Sequence, residues 1–204
     1  METRFTSVKL SICFLAILAT TLIPFFVQPS YAQDTINDDV EFLATGGGKA
    51  MLYWRVDLNA GGSEVWYQIS KGLETWDDPR ILAVFPSDVS LEEFDGIITG
   101  KNLLVALFAV LDGTTAKIIA YVSKDKGGTW SDAIEAAVFD NATFNECPVL
   151  NSQYDFKLGG QFSLVTLISS GGSVNVYVLT SKNGIDWNIS PALGGDDFPL
   201  NCED

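Results

Sequence analysis

SKDKGGTW, residues 123–130, reads as a tight turn closed by a large aromatic side chain. Ser123 ends a β-rich run and offers a hydroxyl to the backbone. Asp125 can accept N–H bonds from within its own turn. Gly127 and Gly128 tolerate backbone angles that other residues resist. Thr129 adds a second hydroxyl, and Trp130 supplies an apolar plate to bury. Two further stretches repeat the arrangement, SKGLETW at 70–76 and SKNGIDW at 181–187. Trp76, Trp130 and Trp187 stand 54 and 57 residues apart, so the turn belongs to a repeated unit.

The flanks repeat as well. Each turn follows a β-rich run: EVWYQIS, KIIAYVS and VNVYVLTS. Before each run lies a glycine turn, NAGGS, DGTT or SGGS, and before that an apolar run, AMLYWRVDL, NLLVALFAVL or FSLVTLIS. A short segment ending in glycine precedes each of these. Every unit therefore reads as four short strands joined by Gly, Asn and Asp turns, over about 39–89, 90–144 and 145–204. Val, Ile, Tyr and Phe fill the runs, as strands prefer. No stretch after residue 32 carries a helical period with caps. A four-strand unit of this size is the sequence form of a β-propeller blade. The expected fold is all-β, with three four-stranded, blade-like units.

The first 32 residues stand apart. Arg4 and Lys9 precede an apolar run from Leu10 to Val27, and Ser30-Tyr31-Ala32 places small residues at a cleavage position. That is the order of a secretory signal peptide, with retention as a membrane anchor the alternative. The mature chain is expected to begin near Gln33, free of the membrane and secreted or displayed at the cell surface. The net charge of −14 speaks against nucleic acid and anionic membranes as partners, since both need a basic footprint. There is no histidine, which removes the usual general base and the commonest metal ligand. Cys13 lies in the leader. Cys147 and Cys202 remain, and two cysteines in an exported chain point to one disulfide. No zinc site can be built from them alone.

SKDKGGTW fits the pattern S-x-D-x-G-x-T-W and resembles the Asp-box of sialidases and other BNR-repeat proteins. SKNGIDW keeps Ser181, Gly184 and Trp187, with Asn183 at the acid position. SKGLETW keeps Ser70, Thr75 and Trp76 and has no acid there. The resemblance spans nearly all of the chain after the leader. It implies a sialidase-like β-propeller whose boxes are structural turns away from the active site. It also implies that sialidase chemistry would need three arginines on the substrate carboxylate, a Tyr–Glu nucleophile pair and an acid/base Asp. Only Arg55 and Arg80 follow the leader, and arginine's bidentate fork is hard to replace. Enzymes of the family close six blades. Three units here imply either a homodimer that completes six or a compact three-unit β fold.

Other candidates are weaker. Glu93, Asp95 and Asp155 could serve a glycosidase that uses paired carboxylates, yet no spacing singles out a pair. Calcium is the one candidate ion, held by loop oxygens in acid-rich stretches such as DGIITG and DNATFNE. No other cofactor or metal is expected. Trp54, Arg55 and Trp66 form the first place to look for a ligand, with Tyr53 and Tyr67 on the opposite strand faces. Asn141 and Asn188 begin N-glycosylation sequons, the second weakened by Pro191. The functional expectation is an exported, non-catalytic sialidase-like binding protein for a glycan or a surface protein. The alternatives are an exo-sialidase-type glycoside hydrolase and a structural module that assembles propellers.

Overall fold

Antiparallel hairpins recur along the described chain, and the long β-branched runs turn back on one another at Gly61–Gly62, Gly113 and Gly171–Gly172. The computed structural model describes residues 35–194 apart from 47–48, 73, 100–102, 146–149 and 156–158. The leader, Cys147 and Cys202 lie outside the described residues, and so does the expected disulfide.

The first sheet holds β1 (Thr35–Gly46), β2 (Lys49–Asp57), β3 (Ser63–Lys71), β4 (Thr75–Trp76) and β5 (Arg80–Phe85). β4 and β5 both pair with β3, end to end, so the sheet is four strands wide. Pro79, which has no N–H to donate, lies in the break between them. The second sheet runs β6 (Val89–Thr99), β7 (Leu104–Asp112), β8 (Thr115–Ser123) and β9 (Ile134–Asp140) in sequence order. The third holds β10 (Ala142–Phe144), β11 (Leu150–Asp155), β12 (Gln161–Ser170), β13 (Ser173–Ser181) and β14 (Asn188–Gly194). Here β10 and β11 share β12 as their partner. The protein is all-β: among the described residues there is no helix, and none of the three antiparallel sheets is closed.

One boundary differs from the sequence division. Residues 142–144 pair with β12 in the third sheet, whereas the pattern had closed the second unit at 144. The physical reason is Asn141, whose φ of +51° makes a sharp left-handed turn between β9 and β10.

Alternation along each strand sorts the core into two layers. Met51, Tyr53, Val65 and Tyr67 of the first sheet pack with Leu104, Ala106, Phe108 and Val110 of the second. The intervening residues Val105, Leu107 and Ala109 point the other way and pack with Leu150, Phe162, Leu164 and Leu179 of the third. β7 is therefore buried on both faces from Leu104 to Val110. Such a strand reads as a continuous apolar run, as LVALFAV does.

Candidate functional site

The three boxes hold the third strand of each sheet to the strand that follows. In the second box, Asp125 accepts from the Thr129 N–H (2.8 Å), the Thr129 hydroxyl (2.9 Å) and the Ser123 hydroxyl (2.9 Å). The Gly127 N–H donates to Ser123 Oγ at 2.7 Å. These bonds favour the ionised carboxylate and hold the Asp125 carboxyl below its ordinary range. Trp130 meets the Tyr67 ring edge-on at 6.1 Å, which ties the box to the first sheet. In the third box Asn183 stands in for the acid. Its Oδ1 accepts from the N–H groups of Ile185 and Asp186, both at 2.9 Å. Gly184 N–H donates to Ser181 Oγ, and Trp187 Nε1 donates to the Gly184 carbonyl.

Two glycines are fixed by contact with the preceding sheet. Gly127 has φ +86°, and a Cβ there would lie 2.1 Å from Met51 Cε and 3.2 Å from Ile69 Cδ1. Gly184 has φ +73°, and its Cβ would lie 2.6 Å from Val105 Cγ2.

The first box works differently. Gly72 stands two residues after Ser70, where the second box has Asp125, so no carboxylate at that position accepts from the turn, and Ser70 Oγ is buried without a hydrogen-bond partner. The fastening is done by Asp77, one residue after Trp76. Its Oδ1 accepts from the Ile69 N–H at 2.6 Å, and its own N–H donates to the Ile69 carbonyl at 3.0 Å. Ser131 holds Val122 in the same way after the second box. Asp77 also pairs with Arg80, which donates to the Gly128 carbonyl at 2.9 Å and covers the Tyr67 ring at 4.9 Å. Arg80 thus joins two sheets.

The second arginine lies elsewhere. Arg55 lines a cleft of about 240 Å³ with Glu41, Glu92, Glu93 and Phe94. Its guanidinium donates to Asp57 Oδ1 (2.7 Å) and to the Leu91 carbonyl (2.9 Å), so both its donors named here serve the protein. Tyr53 donates its hydroxyl to Glu41 beside this cleft, a Tyr–Glu pair, but Tyr53 is only 3% exposed. Glu93 accepts from the Leu150 N–H at 2.9 Å and links β6 to β11. One guanidinium among three carboxylates is a poor clamp for an anionic substrate. Among the described residues no group of three or more Asp, Glu, His or Cys could hold a metal ion. The Asp95 side chain is outside the described residues, and Asp155 sits at the far end of β11 opposite Gln161.

The expected Trp54–Arg55–Trp66 cluster is split by the sheet. Trp54 and Trp66 are direct cross-strand partners on the outer face of the first sheet, whereas Arg55 points into the cleft on the other face. Around the tryptophans lie Phe42 (53% exposed), Ile81 (46%) and Val84 (54%). Glu64 accepts from Trp66 Nε1 at 2.8 Å. The result is an apolar, aromatic patch with little polar decoration. Asn141 and Asn188 are both exposed. Asn141 lines an open cleft of about 390 Å³ with Thr143, Ser169 and Ser170.

No protein-family model matches the chain, and no curated protein matches it. The likeness to sialidases therefore rests on the box residues themselves.

Proposed function

We propose that this protein is an exported, sialidase-like, non-catalytic binding protein built of propeller-type blades. Its ligand is a protein surface taken on the outer face of the first sheet. The observation that carries this reading is the pairing of Trp54 with Trp66 beside exposed Phe42, Ile81 and Val84. Partly exposed aromatics grouped with aliphatics mark docking surfaces, whereas a sugar site also needs convergent hydrogen-bonding groups. The commitment of Arg55 to Asp57 and Leu91, and of Arg80 to Asp77 and Gly128, supports a non-catalytic role.

One observation favours a second reading, that of an exo-sialidase-type glycoside hydrolase: Tyr53, Glu41 and Arg55 gather at one cleft. A fluorogenic sialoside separates the two. The first reading expects no turnover above buffer. Turnover that disappears in Arg55→Ala and Glu41→Gln would establish the hydrolase instead. A glycan array run with calcium and with chelator is expected to stay dark; a signal lost in Trp66→Ala would replace the protein ligand with a sugar.

A further inference from the structure

Among the described residues the chain makes one kind of joint twice and leaves its two halves without a partner sheet. Counting back from the serine that opens each box shows the rule. Residues one, three and five before it face the following sheet: Ile69, Tyr67 and Val65 pack toward the second, and Val122, Ala120 and Ile118 toward the third. Residues two and four before it face the preceding sheet: Tyr121 and Ile119 pack on the first, and Leu179 and Tyr177 on the second. In the third sheet the forward positions are Thr180, Val178 and Val176, and none belongs to a core cluster. In the first sheet the backward position four before the serine is Trp66, and neither it nor Trp54 belongs to one either. Gln68, two before the serine, is already buried under the first box and donates to the Asp77 carbonyl.

We propose that a second copy of this chain joins these halves. The outer face of the third sheet in one copy seats the Trp54–Trp66 face of the other, and two such joints close a ring of six sheets. This rests on the reading of the Trp54–Trp66 face as the binding surface and names its occupant.

Three observations carry the choice. The first is continuity: the two free faces are the forward and backward halves of a joint that the chain already makes twice. The second is the box seat. Gly127 rests on Met51 and Ile69, and Gly184 is wedged against Val105 and Val122, each a cross-strand pair. The corresponding pair in the third sheet is Ser163 and Thr180, and among the described residues no box glycine rests on it. The third is charge. From Ser163 to Ser169 on β12 and from Val174 to Thr180 on β13 no outward residue is charged, in a chain of net charge −14. Copies can approach there without like-charge repulsion.

Ring geometry sets the number. Propellers close with about four to eight blades. One copy brings three sheets, two bring six and three bring nine. Only the pair falls inside the range, and a head-to-tail interface that closes makes a ring rather than a filament.

The test is light scattering on the full chain, purified from a host that exports it, over a concentration series. The expected mass is that of two chains. Trp66→Glu and Val178→Glu should each give the mass of one chain with an unchanged far-ultraviolet spectrum. An equimolar mixture of the two should recover the two-chain mass, because one intact joint remains between them. Trp66→Ser and Val178→Thr, which disturb folding less, should raise the dissociation constant at least tenfold. A wild-type chain that stays single at every concentration overturns the proposal, as does a mass of three. So does a Val178→Glu variant that still pairs while Trp66→Glu does not, since that is a like-on-like dimer, and so does a mixture that fails to associate. A single-chain wild type that still binds an array protein or glycan through Trp66 sinks only the second copy. A single chain that binds nothing removes the reading of the face as well.

Discussion

The second box and the first carry their acids in different places and use them differently. In SKDKGGTW the carboxylate of Asp125 sits inside the turn and gathers Ser123 and Thr129 around it. In SKGLETW the carboxylate has moved outside, to Asp77, and grips Ile69 and Arg80 instead. The inner arrangement satisfies the box serine. The outer one leaves Ser70 Oγ buried and alone, but reaches across to the next sheet through Arg80. What is kept is the clamp between the third strand and the residue after the tryptophan, made by Ser131 in the second box and by Asp77 in the first, while the carboxylate inside the turn is present only in the second.

Substitutions can break this comparison at graded cost. Gly127→Ala should be the most damaging. It combines a φ of +86° with a Cβ 2.1 Å from Met51 Cε, whose flexible end must move within a buried site, and should cost about 2 kcal/mol in urea unfolding. Gly72→Ala has a similar φ of +73° but meets nothing, so only the backbone term remains, about 1 kcal/mol. Equal losses at the two sites would show that the box does not pack on the neighbouring sheet.

Asp125→Ala should cost about 1–2 kcal/mol, since it strips the acceptor from an exposed turn, and Asp125→Asn should cost less because Asn183 already does this work in the third box. The Asp125 carboxyl is held below its ordinary value, so its contribution is fully present above the unfolded value near 4 and lost as pH falls through the folded one. Chemical melts between neutrality and pH 3 should thus show a smaller acid loss in Asp125→Asn than in the wild type. An identical acid slope in both would remove Asp125 as a contributor.

The smallest effect separates the two serines. Ser70→Ala should change stability by about 0.5 kcal/mol or less and can be stabilising, because it deletes an unpartnered hydroxyl. Ser123→Ala should cost about 1 kcal/mol, since Gly127 N–H and Asp125 lose a partner. A larger loss at Ser70 would mean its hydroxyl is bonded in solution.

The strands were legible because their runs are apolar, β-branched and punctuated by glycine. LVALFAV stands in the sequence only as an apolar run, and the structure gives the reason no polar residue interrupts it, burial on both faces. The split of Trp54 from Arg55 follows from alternation alone, which places neighbouring residues on opposite faces. Asp77 was harder to see, because its role depends on Trp76 ending a two-residue strand and not on a motif position. Asn141 carries two signals at once, a sequon and a left-handed turn, and it is the turn that marks where the third sheet begins, three residues before the end of the repeat's second unit. The bond from Leu150 to Glu93 joins residues 57 apart, and no local pattern marks it.

The burial of β7 on both faces has a kinetic corollary. Its amides can reach solvent only if the second sheet parts from both neighbours, which amounts to global unfolding. β7 and β8 should therefore hold their deuterium-exchange protection longest. β14, whose described side chains are all exposed, should open on its own and exchange first.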